Sequence, residues 1–224
     1  MNHSALPDPL FRAAVRAIDA GDAGELERLL AAHPELVRDR LDSPGDWLRT
    51  LVGDALDGYF RQPYLLWFVA ANPVRNGTLP KNIAQIARTL IEAAKRAGVV
   101  SLQDQLDYTL GLVATGRVAR ECGVQLELID ELIAGGATPG AGHGALGVEL
   151  DDYCTGIHTH ATPLHHAVWC GSLDAVKLLV EAGAALAIKG RIHHGTPLDW
   201  AEHSGNSDIA AYLRESEKRG SHSS

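Results

Sequence analysis

The sequence lacks several features that mark common protein classes. Aromatic residues make up only 5% of its 224 residues, and there are three cysteines: Cys122, Cys154 and Cys170. Because that number is odd and no two cysteines have CxxC spacing, we expect no disulfide framework and a reducing compartment. No secretory leader and no apolar run of membrane-spanning length is visible. We therefore expect a cytoplasmic protein that does not enter a membrane.

Clusters of basic charge are also missing. The chain has 20 Lys and Arg against 28 Asp and Glu, a net charge of −8, and the basic residues are scattered among acidic ones. Proteins that bind nucleic acids normally present a basic face to the phosphates. We therefore expect no nucleic-acid partner.

Catalytic motifs are absent as well. The sequence has no HExxH motif, and its glycine-rich stretch at 135–147 lacks the GK[ST] ending of a phosphate-binding loop. His166 and Cys170 share a helix face by their spacing, but no third residue that could orient them is evident. We expect a chain without catalytic residues or cofactors.

A repeat of 34 residues is the clearest positive feature. Thr-Pro-Leu occurs at 162–164 and again at 196–198, and each copy leads through a glycine, Gly171 or Gly205, into a second apolar run. Threonine caps a helix well, and proline at the first helical position costs no hydrogen bond. The pattern predicts two short helices per unit, which must stack on neighbouring units to bury their apolar faces.

The segment TPLHHAVWCGSLDAVKLLVEAGA at 162–184 resembles the ankyrin repeat, and fainter copies precede it. The longer loops of those copies, expected around 72–81 and 114–122, are similar to a bacterial ankyrin subfamily. The resemblance implies an all-α fold, an ankyrin-like α-solenoid of about five stacked helix pairs with long inserted loops. Its expected parts are a single solenoid at 1–215 with repeats at 8–36, 63–98, 105–139, 157–189 and 190–215, an insertion at 140–156, and a frayed polar tail at 216–224.

The resemblance also implies a function, a module that binds another protein through the loop tips and first helices of its concave face. Family contacts usually come from the loop tips and from the two residues before the mid-repeat glycine. Two aromatic residues near an earlier first helix, Tyr64 and Trp67, are added to these positions. The expected contacts are then His158, Thr159, Ala161, Trp169, Cys170, Ile192, His193, His203, Ser204, Tyr64 and Trp67. Trp169 is the expected anchor, because tryptophan is enriched at binding hot spots. Trp200 occupies a position that is usually packed.

The histidines leave an alternative open. The resemblance implies that His165 braces the loop of its own repeat and that His166 packs between helices. His158 and His160 alternate in a stretch that, if extended, places both on one face, where they could reach one metal ion. Their spacing to His143, Asp152 and Cys154 matches no known zinc motif, so we expect no metal. The alternative function is a small-molecule or metal-binding protein, and even an enzyme, that uses the His-rich region 143–166 and the inserted loops.

Overall fold

A computed structural model describes residues 6–57, 60–70, 78–139, 161–190 and 194–221. These residues form helices and no strands. The α-helices are α1 (Asp8–Ala20), α2 (Ala23–Ala32), α3 (Glu35–Arg38), α4 (Asp46–Val52), α5 (Ile83–Arg96), α6 (Leu102–Thr115), α7 (Arg117–Glu121), α8 (Gln125–Gly135), α9 (Pro163–Trp169), α10 (Leu173–Glu181), α11 (Pro197–His203) and α12 (Ser207–Ser221). Two 3-10 helices, Gly53–Leu56 and Leu65–Ala70, complete the set.

The helices are arranged in two rows. The first helices of successive repeats contact one another in the order α1, Leu65–Ala70, α6, α9 and α11. The second helices contact one another in the order α2, α5, α8, α10 and α12. Five stacked helix pairs result, so the predicted all-α, ankyrin-like solenoid is confirmed.

Side-chain amides connect successive repeats at their turns. The amide of Asn82 donates a hydrogen bond of 2.8 Å to the carbonyl oxygen of Gly21, and the amide of Asn206 donates one of 2.9 Å to that of Val168. These carbonyl groups lie at the ends of first helices, where no intrahelical donor is available. The bonds therefore satisfy helix ends and hold neighbouring repeats in register.

The second repeat has an unusual first helix. Residues Leu65–Ala70 form a 3-10 helix whose side chains are all buried. Its aromatic rings pack in a continuous cluster, with Phe68 at 5.5 Å from Phe11 and Trp67 at 4.3 Å from Tyr108 between ring centroids. Aromatic packing thus links the first three repeats although the TPLH motif is missing there.

The segment between repeats one and two is tied to both of them. The Asp8 carboxylate accepts hydrogen bonds of 2.8 Å from the Gly45 amide and from the indole nitrogen of Trp47. Further along, the Leu41 amide donates to the carbonyl oxygen of Pro63 at 3.1 Å. This long connection is therefore packed against the solenoid through specific bonds.

The prediction of an inserted loop at 114–122 is wrong. Helix α6 continues to Thr115, and the short helix α7 follows after Gly116. The chain then turns at Gly123, which has a φ of 70° and a left-handed conformation that suits glycine. The mid-repeat glycines Gly21, Gly171 and Gly205 have φ values of 67°, 69° and 72°. Repeat three therefore has the same mid-repeat turn as repeats one, four and five.

The end of the chain also differs from expectation. The tail that was expected to fray from residue 216 is helical as far as Ser221, because α12 extends that far. Ser216 is buried, and its hydroxyl donates to the carbonyl oxygen of Tyr212 at 3.0 Å. Packing of this face explains why the polar composition did not end the helix.

Replacing Gly123 by alanine tests the turn assigned to repeat three. A Cβ atom at this position meets nothing within 4 Å, so the cost is that of the left-handed backbone, about 1–2 kcal/mol. We expect the free energy of unfolding to fall by that amount in urea denaturation. The matched control is Gly24→Ala inside helix α2, which we expect to gain about 0.5–1 kcal/mol. Equal effects of the two substitutions would contradict the assignment.

Candidate functional site

His165 connects the last two repeats. Its Nδ1 atom lies 2.9 Å from the Thr162 hydroxyl and 3.3 Å from the Thr162 amide, and its Nε2 atom lies 3.1 Å from the carbonyl oxygen of Gly195. A carbonyl oxygen only accepts, so Nε2 carries the proton and Nδ1 accepts from Thr162. The predicted brace within its own repeat is observed, and the bond to Gly195 extends it to the next repeat.

Gly195 belongs to the loop tip of repeat five. Its carbonyl oxygen also accepts a 2.9 Å bond from the Gly190 amide, and the His194 amide donates to the Gly190 carbonyl oxygen at 3.0 Å. His194 is exposed and has a φ of 50°. His165 therefore holds a closed loop tip in place from the repeat before it.

Burial lowers the pKa of His165 from its ordinary value of 6.5, although the bond to Gly195 opposes the shift. The folded chain thus binds a proton at this residue less readily than the unfolded chain does. This contribution to stability is complete above about pH 6.5. It decreases as the pH falls through that value toward the lowered pKa of the folded state.

His165→Leu tests both the brace and its pH dependence. At pH 7.5 we expect a loss of about 2–3 kcal/mol of unfolding free energy, since three hydrogen bonds of about 1 kcal/mol each disappear. The wild-type chain should also lose stability more steeply than the variant between pH 7 and pH 5. Urea denaturation across this range measures both effects, and parallel pH profiles would contradict the titration of His165.

Trp169 is the exposed tryptophan of the four. Its side chain is 45% accessible, whereas Trp200 is 8% accessible and Trp67 is fully buried. The rings of Trp169 and Trp200 meet at 6.0 Å and 73°, and Trp200 meets His165 at 5.0 Å and 70°. Trp200 is packed, as predicted, and it supports Trp169 from the next repeat.

Cys170 follows Trp169 and faces the third repeat. Its thiol lies 3.8 Å from the carbonyl oxygen of Thr115, the last residue of α6. Burial raises the pKa of the Cys170 thiol, and this effect exceeds the opposing influence of the nearby Arg120 guanidinium. The thiol therefore stays protonated at neutral pH, which is unfavourable for nucleophilic catalysis by Cys170.

The corrected turn at Gly123 extends the site to repeat three. The two residues before the mid-repeat glycines of repeats three, four and five are Glu121 and Cys122, Trp169 and Cys170, and His203 and Ser204. We call these six residues the turn strip. Glu121, Trp169, His203 and Ser204 are exposed, whereas Cys122 and Cys170 are partly buried. Sequence reasoning missed Glu121 and Cys122, although the Cys-Gly pair at 122–123 repeats the one at 170–171.

The prediction that three residues contact a partner is wrong, because their side chains are buried. Ala161 is 2% accessible, Tyr64 is 9% accessible, and Trp67 is inaccessible. Tyr64 and Trp67 pack edge to face, with the guanidinium of Arg40 lying 4.4 Å from the Tyr64 ring and 5.4 Å from the Trp67 ring. Tyr64 and Trp67 are therefore core residues of repeat two.

Two tryptophan substitutions distinguish a core tryptophan from a surface tryptophan by their effects on stability. Trp67→Ala should lower the free energy of unfolding by about 3–5 kcal/mol, since a large buried ring is lost. Trp169→Ala should lower it by about 1 kcal/mol or less, because nearly half of that side chain is already in water. Denaturation in urea compares them, and similar losses for both would contradict this assignment.

The histidine-rich alternative lies mainly outside the described residues. His158, Thr159, His160, Ile192 and His193 belong to that undescribed part, as do His143, Asp152 and Cys154. Within the described ranges, no three His, Cys, Asp or Glu side chains form a group that could hold a metal ion. His166, next to the motif, is fully buried, as the packing role predicted.

Open pockets lie between second helices in the described part of the chain. One of about 270 Å³ lies between α2 and α5, with Leu30 and Ala93 in its lining. Another, of about 420 Å³, lies between α8 and α10, with Leu126 and Leu178 in its lining. Both lie between second helices and away from the turn strip, so neither joins the aromatic residues of repeats four and five.

Comparison with known families agrees with this geometry. Residues 117–222 match the family model described as ankyrin repeats, in three copies, so the match begins at α7 and includes all six residues of the turn strip. This match supports an ankyrin-repeat family for residues 117–222. No curated protein matches the sequence. Ankyrin repeats generally mediate protein–protein interactions and are typically non-enzymatic. The described helices include none that is long and apolar enough to cross a bilayer.

Proposed function

We propose that this chain binds another protein through the turn strip, with Trp169 as the central anchor and without catalysing a reaction. The exposure of Trp169 is the observation that carries the proposal. A tryptophan that is nearly half exposed leaves a large apolar surface in water, and burying that surface against a partner is favourable. Contacts from His203 and Ser204 on one side and Glu121 on the other complete the strip.

The support behind Trp169 favours this role. Its ring rests against Trp200, which is packed in turn against His165, and His165 is fixed by Thr162 and Gly195. A side chain held in this way loses little conformational freedom when a partner binds. The anchor is thus preorganised by the same contacts that join repeats four and five.

Trp169→Ala tests the proposal in a pull-down from lysate of the source organism, read by quantitative mass spectrometry. We expect at least one protein to be retained by the wild-type chain about thirtyfold more than by the variant, the effect of losing a hot spot of about 2 kcal/mol. A photo-crosslinking residue at position 203, within the strip, should capture the same protein.

Leu126→Ala is the matched control, because Leu126 is an apolar residue of similar exposure, 41%, on second helix α8. The control variant should retain the partner at the wild-type level. Equal retention by the wild-type chain and Trp169→Ala, or equal losses in the two variants, would contradict binding through the turn strip.

A further inference from the structure

Arg120 is a partly buried cation beside the turn strip. It lies on α7, directly before Glu121, and its Nη1 atom is buried without a hydrogen-bond acceptor. Other arginines of repeats three and five are paired on the surface: Arg117 lies 2.7 Å from Glu121, and Arg214 lies 2.6 Å from Glu202. Within the described ranges, no carboxylate forms an ion pair with Arg120.

The neighbours of Arg120 do not neutralise its charge. From repeat four, the Cys170 thiol contacts Arg120, and this thiol stays protonated because burial raises its pKa. Glu121, the next residue in the chain, is bound through both carboxylate oxygens by Arg117, at 2.9 and 2.7 Å. The Nη1 atom is closed off from solvent, but the residue as a whole is only partly buried, so a carboxylate from outside meets the accessible part of the side chain. Pairing with a carboxylate there supplies the counter-charge that the described residues do not.

We infer that Arg120 binds a carboxylate of the partner, so that the partner presents an Asp or Glu side chain next to the apolar group that covers Trp169. This inference rests on the proposed function. Cys170 joins the two points, since it follows Trp169 in the chain and its thiol contacts Arg120. The planar guanidinium fork matches a carboxylate in geometry as well as in charge.

The charge of the whole chain narrows the kind of partner further. A net charge of −8 opposes long-range attraction of a polyanion, and one unpaired arginine does not form the row of cations that a phosphate backbone requires. A single carboxylate that binds at contact distance needs neither long-range attraction nor a row of cations. An acidic residue within a short apolar stretch of a protein therefore fits better than a nucleic acid.

A phage-displayed library of random 12-residue peptides, selected on the full chain, tests this directly. The selected peptides should be enriched in Asp or Glu beside an apolar residue. For a synthetic peptide from the selection, Arg120→Gln should weaken binding at least tenfold by calorimetry. The same peptide with its acid replaced by Asn or Gln should bind wild type and Arg120→Gln equally, a coupling that a purely structural role of Arg120 would not produce.

Arg88→Gln is the matched control, because Arg88 already has a carboxylate partner in Glu131 and this pair lies on the second helices α5 and α8, away from the turn strip. We expect it to change the affinity less than twofold. Selected peptides without acidic residues, or an equal effect of Arg120→Gln on the acidic and amide peptides, would overturn the inference. If Trp169→Ala still abolishes binding in that case, the proposed function stands; if binding survives Trp169→Ala, both fail.

Discussion

A pair of short helices cannot bury its own apolar faces. The whole structure therefore depends on the packing of each pair against the neighbouring pairs, which buries those faces. Each first helix packs against the first helix of the next repeat, and each second helix does the same in the other row. Because every repeat relies on its neighbours, bonds that cross from one repeat to the next control the geometry of the chain. Asn82, His165 and Asn206 each provide such a bond.

The same dependence creates the candidate binding surface. Trp169 belongs to repeat four, its supporting ring Trp200 belongs to repeat five, and Arg120 comes from repeat three. No single repeat contains more than one of these three residues. A partner that covers Trp169 and reaches Arg120 therefore recognises the stacking itself, in addition to the individual side chains.

Regular repeats could be predicted from the sequence, and irregular ones only in part. Pro163 and Pro197 begin helices and Gly171 and Gly205 end them through local backbone preferences, which are visible in the sequence. Repeat three has the same turn at Gly123, but it lacks a Thr-Pro-Leu start and has a long first helix, α6. The position of its mid-repeat turn was therefore not predicted from the sequence. The 3-10 helix of repeat two follows no helical period at all, because all its side chains are buried.

The sequence by itself determined the fold class, the two clear repeats and the candidacy of Trp169, since these follow from the local order of prolines, glycines and apolar residues. Only the tertiary structure decided that Tyr64 and Trp67 are core residues, that Gly195 is the second partner of His165, and that Arg120 lies beside Cys170. The reason is physical: burial and charge pairing depend on which residues of distant repeats come together, and that information is set by stacking.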